Sequence, residues 1–406
     1  MINADEARRQ IVGAVTPGET EPCSLPSCLN RVLAEDVVAS HDIPPFDNSS
    51  MDGYAVRSAD VGGASNERSV RLTVQGEIAA GRSESRPLRQ HHAYRILTGA
   101  PIPPEADAVI EQEVTEGLNG AIKVPAGVTS GRNIRRRGED VKAGSVVLHK
   151  GLRLTPSRVG ILASIGCVKM TVFRKPVVAV LPTGDELVEA SEPLGPGKIR
   201  NSNAYTLEGL IAGSGCIPRN LGIARDDESD LREKIVRGLE TDALVTSGGV
   251  SVGDRDHVLD ILKSLGVEIV FWKVNIKPGM PMAFGVFHHP SGRHVPVFAL
   301  PGNPVSSVVT FLQFVRPGLE RIGGLSQSSE PIRFPAVLKN DLRKADGKRH
   351  FVRGICRNEN GGLVVEPTRT QSSGVLTSLS DANCLIVIPE EVRSPKAGDT
   401  VEVELL

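Results

Sequence analysis

Thr241 to Gly266 reads TDALVTSGGVSVGDRDHVLDILKSLG: a short apolar strand, paired glycines, a further glycine with an acid, then a capped amphipathic helix. Val245 leads into Ser247, Gly248 and Gly249, and neither glycine carries a Cβ that would hold a ligand away from the backbone. Asp254 is placed to cap the helix, Val258, Ile261, Leu262 and Leu265 share one face of it, and Gly266 ends it. Free amides at such a helix start point back at the loop and favour an anion there. One turn of this kind often serves only as a connection, so its neighbours decide its meaning.

Two further strand ends carry unusual turns. Val177 to Leu181 (VVAVL) breaks at Pro182-Thr183-Gly184-Asp185-Glu186, and Val297 to Leu300 (VFAL) breaks at Pro301-Gly302-Asn303-Pro304. Asn303 suits an N-cap and Pro304 a first helical position, with Val305, Val308, Val309, Leu312 and Val315 forming the apolar side. In an open parallel sheet, these turns gather at the carboxyl edge, where ligands bind.

Around this core the texture changes along the chain. Strands alternate with helices over residues 171–326, and helices are expected over Ser202–Ala212, Asp227–Leu239, Arg255–Leu265 and Val305–Leu319. Residues 41–53 (HDIPPFDNSSMDG) are rich in turn formers, and residues 70–125 alternate VRLTV, AYRIL, DAVIEQEV and AIKV with breaks, as in a small all-β unit. Helical texture returns at Leu154–Ile165, so the β unit reads as inserted into a helical region. Residues 327–406 revert to short strands (GLVVEP, CLIVIP, DTVEVEL) that suit a closing barrel or sandwich. The expected fold class is α/β plus all-β, with a helical or linker domain at 1–40 and 141–170. The inserted β domain then spans 41–140, a central α/β domain 171–326 and a C-terminal β-barrel-like domain 327–406.

Composition narrows the function. Lys and Arg total 47 against 48 Asp and Glu, and aromatics make up 3%, which argues against a general nucleic-acid binder. The dense basic run Arg132, Arg135, Arg136, Arg137 is followed at once by Glu139 and Asp140, which fits an interface salt network or an anionic-substrate rim. Cys23, Cys28, Cys167, Cys216, Cys356 and Cys384 form no CxxC pair, as expected of reduced thiols in a cytoplasm. His288 and His289 adjoin Pro290-Ser291-Gly292, which reads as a solvated hairpin tip rather than a metal site. Ala4–Val15 reads as a surface helix with Ala7, Ile11 and Val15 inward, not as a targeting segment, and no apolar run approaches a membrane span.

Acids cluster near the special turns: Asp185, Glu186, Asp226, Asp227, Asp254 and Asp256. No thiol or imidazole accompanies them in a ligand-like spacing, and an all-oxygen set suits magnesium, which takes one or two carboxylates plus substrate phosphate and water. Asp226 and Asp227 serve equally well as helix caps. Lys277, in IKPGMP, is placed either to meet a phosphate or to sit in solvent.

PPFDNSSMDGYAV at 44–56, LTGAPIP at 97–103, NIRRRGEDV at 133–141, TGDEL at 183–187, TSGGVSVGD at 246–254, IKPGMP at 276–281 and LPGNPVS at 300–306 together resemble the molybdopterin molybdenumtransferase family. That family includes bacterial MoeA and the E domain of gephyrin, and the motifs run in its order over nearly the whole chain. The resemblance implies an elongated homodimer with four domains per subunit and a central α/β molybdopterin-binding domain. The implied activity is magnesium-dependent insertion of molybdate into adenylated molybdopterin, with release of AMP. It is also the resemblance that assigns Asp185, Glu186, Gly248, Gly249, Ser251, Asp256, Lys277, Pro301 and Asn303 to the cofactor site. Glu186, Asp226, Asp227 and Asp256 become the metal candidates, and Asp52, Thr98, Asp140, Glu186, Asp256 and Lys277 the catalytic ones.

Asp52, Thr98 and Asp140 match β-unit residues that the family places across the dimer cleft. Arg353 and Ser373 match C-terminal positions associated with molybdate or activity. Met280 is a departure, because many bacterial relatives carry a second lysine there, and it leaves a positive contact to be supplied by Arg255 or another charge. Two rival readings accompany the resemblance: a gephyrin-type scaffold that binds peptides, and a molybdopterin adenylyltransferase. Other proteins of molybdenum cofactor biosynthesis are the expected partners.

Overall fold

A computed structural model describes residues 1–250, 257–326 and 331–406. The chain packs as two compact units, one of Met1–Glu35, Lys150–Thr155 and Thr171–Leu406, the other of Asp36–His149 and Pro156–Met170.

In the first unit a six-stranded sheet runs in the order Ile217–Asn220, Val177–Pro182, Ala243–Ser247, His294–Leu300, Ala283–His288, Val267–Trp272. The first four strands are parallel; the last two extend the sheet antiparallel. Alternation along each strand divides the core between two faces. Val178, Val180, Val245, Phe298 and Leu300 join one apolar cluster, and Ala179, Leu181, Leu244, Val297 and Ala299 join the other. The first cluster is covered by the helices Ala4–Ala14, Ser202–Gly213 and Pro304–Thr310, whose inward residues include Ile11, Leu207 and Val309. The second is covered by Glu228–Leu239 and His257–Ser264 through Leu231, Ile235, Val258 and Leu262.

The helix expected over Val305–Leu319 is a composite. It starts as Pro304–Thr310, widens to a π turn over Phe311–Val315, and resumes as Arg316–Ile322. Pro317 follows the wide turn and has no amide hydrogen to give the regular ladder.

Five C-terminal strands close on themselves: Arg349–Glu359, Gly362–Pro367, Arg333–Leu338, Thr400–Leu405 and Cys384–Ile388, which returns to pair with Arg349–Glu359. The expected closing β domain is thus a barrel. Phe351, Leu385 and Val387 leave its wall to join the first α/β cluster, so barrel and sheet share a core.

The second unit contains its own six-stranded sheet, ordered Ala108–Glu111, Gly53–Val56, His92–Ile96, Val70–Ile78, Ala121–Val124, Glu116–Leu118. Val56, Leu72 and Ile122 pack in one cluster, Ala55, Tyr94 and Ile96 in another. The turn-rich stretch near residue 50 becomes a strand at Gly53, where any side chain would strike the Ile110 carbonyl. Arg132, Arg136 and Arg137 of the basic run pair with Glu111, Asp47 and Asp42 inside this same unit. All six cysteines are free thiols. Among the described residues no helix is long and apolar enough to cross a membrane.

Candidate functional site

Strand register sets the first cleft. Pro182 lies opposite Ser247, and Ser247 opposite Leu300, so three chains leave the sheet side by side. Thr183 donates its amide to the Ser247 carbonyl at 2.9 Å, and Gly248 donates to the Leu300 carbonyl at 3.0 Å. Gly248 has φ +102°, and a Cβ there would stand 2.6 Å from the Thr183 carbonyl oxygen, so this position requires glycine. Asn203 ties two of the turns together, its Nδ2 lying 2.8 Å from both Ser247 Oγ and the Gly302 carbonyl.

These turns enclose a cleft of about 480 Å³ lined by Thr183, Glu186, Arg200, Asn201, Pro301 and Asn303, among others. Two polar groups in its wall are buried, and among the described residues neither has a hydrogen-bond partner: Thr183 Oγ1 and Asn201 Nδ2. Asn201 caps the helix Ser202–Gly213 with its oxygen, which accepts from the Ala204 amide at 3.3 Å, while its amide nitrogen is left without a partner among the described residues. A buried polar group without a partner is costly, and a polar ligand would relieve that cost.

A second cleft of about 500 Å³ adjoins the first, and the two share Pro281, Asn303 and Ser306. One wall carries Lys277 to Pro281; the other comes from the barrel, with Asp346, Lys348, His350 and Arg353. The short strand Ile276–Lys277 pairs in parallel with Arg349–Glu359, placing Lys277 opposite His350. His350 Nε2 lies 2.6 Å from Asp346 Oδ1, and Lys277 Nζ lies 4.0 Å from Asp346 Oδ2. Burial holds the His350 ring below its ordinary pKa, against the opposing pull of Asp346.

Arg353 is only 1% exposed. Its guanidinium donates to Ser378 Oγ and to the Thr370 and Ser372 carbonyls at 3.1–3.2 Å, so it supports the loop carrying Ser373 from beneath. Ser373 reaches the cleft rim, and its carbonyl accepts from the Val305 amide at 3.1 Å.

The acids take separate places. Asp185 and Asp226 exchange contacts, each carboxylate accepting from the other's amide at 3.2–3.4 Å. Asp227 caps the helix Glu228–Leu239, its Oδ1 accepting from the Ser229 and Asp230 amides and the Ser229 hydroxyl. Glu186 lines the first cleft. Ser251, Asp254, Arg255 and Asp256 lie outside the described residues. Among the described residues no three His, Cys, Asp or Glu side chains form a metal-binding group.

Asp52, Thr98 and Asp140 belong to the second unit. Asp52 Oδ1 accepts from both the hydroxyl and the amide of Thr98 at 2.7 Å, and these bonds hold its carboxyl below the usual range. Asp140 is exposed, with its amide bound to the Ile43 carbonyl.

Asn201, Asn203, Lys348 and His350 are among the cleft residues that sequence reasoning missed. Asn201 stands where an N-cap signature would draw attention to it. Lys348 and His350 enter only through a pairing some 70 residues distant in sequence, which has no local signal.

Three family models cover the chain in order. They are described as the MoeA N-terminal region (domain I and II) over residues 2–166, a "Probable molybdopterin binding domain" over 179–321, and the MoeA C-terminal region (domain IV) over 335–406. Together with the sheet-edge cleft and the barrel, they define a transferase of molybdenum cofactor biosynthesis. The chain is 39% identical to the molybdopterin molybdenumtransferase of Haemophilus influenzae, over 100% of this chain and 98% of that protein. Its identity to the Bacillus subtilis protein of the same name is 38%, over 100% and 94%. A molybdopterin biosynthesis moeA protein from Pyrococcus horikoshii superposes with a TM-score of 0.86 at 32% identity, with both chains fully covered. The chain belongs to the molybdopterin molybdenumtransferase family.

Proposed function

We propose that this chain inserts molybdate into adenylated molybdopterin with release of AMP, aided by magnesium, as a homodimer in the cytoplasm. One observation carries the reading: the two clefts share the wall of Pro281, Asn303 and Ser306. A pterin nucleotide at the sheet edge and an oxyanion among the lysines would therefore meet along one surface. Thr183 and Asn201 would satisfy polar atoms of the pterin nucleotide, and the turn at Gly248 and Gly249 would lie beside its pyrophosphate.

The oxygen-only donors suit magnesium, which tolerates one or two protein carboxylates with substrate oxygens and water. Glu186 and the Asp185–Asp226 pair would hold it with Asp256, whereas Asp227 is already committed to its helix cap. When bound, the ion would offset charge on the phosphoryl oxygens and on the departing AMP. Lys277 would orient molybdate by charge-assisted hydrogen bonds. We assign Ser251 to the nucleotide loop, Asp52, Thr98 and Asp140 to a catalytic role, and Ser373 to the oxyanion rim.

The test supplies purified protein with adenylated molybdopterin, molybdate and magnesium and measures AMP. Release of AMP that is strongly impaired in a folded Asp256→Ala variant supports the reading. No release combined with tight binding of a partner peptide would select the scaffold function. Synthesis of the adenylate from ATP would select adenylyl transfer instead.

A further inference from the structure

We propose that Lys348, from the barrel, is the second oxyanion-binding cation of this site, working opposite Lys277 across Met280. The inference rests on the molybdate reading above. Lys348 Nζ donates to Met280 Sδ at 3.3 Å, and among the described residues this is the ammonium's only hydrogen-bond partner. A thioether is a weak acceptor, while an ammonium carries three donors, so most of this group's hydrogen-bonding capacity is left for a guest. Half-buried Lys348 lines the same cleft as Lys277, Met280 and Ser373.

Other charges in the cleft are already engaged. Arg353 directs its guanidinium at the loop carbonyls and Ser378, and Asp346 is shared by His350 and, more distantly, Lys277. A tetrahedral dianion bound here would find Lys277 on the α/β wall and Lys348 on the barrel wall, two point charges from separate elements. The Met280 side chain is flexible enough to move aside as the ammonium turns to the guest. Lys348 is thus a binding residue for the oxyanion, and Met280 the neutral surface that positions it.

Calorimetric titration of the full-length chain with sodium molybdate tests this, with KM for molybdate in AMP release as a second readout. Lys348→Met should weaken molybdate binding roughly tenfold, and Lys348→Arg should retain it. In the Lys348→Met background, Met280→Lys returns an ammonium from the opposite side of the same contact and should recover most of the affinity. Recovery by a charge placed on a different element is not expected if Lys348 matters only for packing.

Lys277→Met separates the two levels of the argument. If Lys277→Met weakens binding and Lys348→Met, with its melting temperature intact, does not, the role of Lys348 is overturned while the molybdate reading stands. If the native chain takes up no molybdate, or neither lysine affects uptake, both fall.

Discussion

At the residue scale, Asn201 performs two tasks with one amide. Its oxygen caps a helix and its nitrogen is buried beside the first cleft without a partner among the described residues. Asn201→Ser keeps a capping oxygen but removes the donor, so the melting temperature should shift little. Affinity for adenylated molybdopterin should fall about tenfold, as expected for the loss of one well-placed hydrogen bond. Equal losses in stability and affinity would instead assign the residue to packing alone.

His350 gives a residue-scale pH effect. Burial depresses its folded pKa below the unfolded value of about 6.5, so the unfolded chain binds the proton more readily. The neutral ring's contribution is therefore complete above about pH 6.5 and is lost as pH falls through the lower folded value. Urea unfolding at pH 7.5 and 5.5 should show the loss, and His350→Gln should shrink it. Asp346 is also depressed, despite its own desolvation, through its bond to His350, but its loss begins only near the acid range of ordinary aspartates. The two effects separate along the pH axis.

At the element scale, the π turn Phe311–Val315 presents Gln313 to the N-terminal helix and the barrel at once. Arg8 donates to Gln313 Oε1 at 2.8 Å, and Gln313 Nε2 donates to Glu404 at 2.6 Å, with both Gln313 and Glu404 buried. Gln313→Leu would leave a buried carboxylate short of a donor and should cost about 2 kcal/mol. A lowered urea midpoint with an unchanged slope is the expected result; an unchanged midpoint would show that Arg333, 2.9 Å from Glu404, suffices alone.

What could be read from the chain also sorts by element. The three strand-end turns were legible because glycine, proline and an N-cap asparagine act on their immediate neighbours, and Gly248, Pro301 and Asn303 do stand at one sheet edge. The antiparallel extension by Val267–Trp272 and Ala283–His288 was not legible, because a buried apolar run does not reveal its direction. The barrel wall of the second cleft escaped for another reason. Its position depends on pairing between Lys277 and His350, which no local pattern announces. Asp227 illustrates a real ambiguity, since an acid before a helix fits a cap and a ligand equally well until its hydrogen bonds are seen.

At the scale of the whole molecule, most of the basic run is spent on internal pairing. Arg132, Arg136 and Arg137 each face a carboxylate, and the chain's formal net charge is −1. Little long-range field remains to gather phosphates. The proposed homodimer has a direct check: light scattering should return twice the 43.2 kDa of one chain, and a value equal to one chain would remove that part of the proposal.

Arg353 has a consequence for how the second cleft keeps its shape. Its guanidinium works as a forked staple, driven up through the barrel wall to fasten two carbonyls of the overlying segment 370–373. Lysine could fasten fewer points and would lack the planar fork. In Arg353→Lys, amide hydrogens of that segment should exchange with solvent faster while those of the strand Cys384–Ile388 stay slow. The serine rim would then be a roof whose stiffness is set from below, by a buried guanidinium.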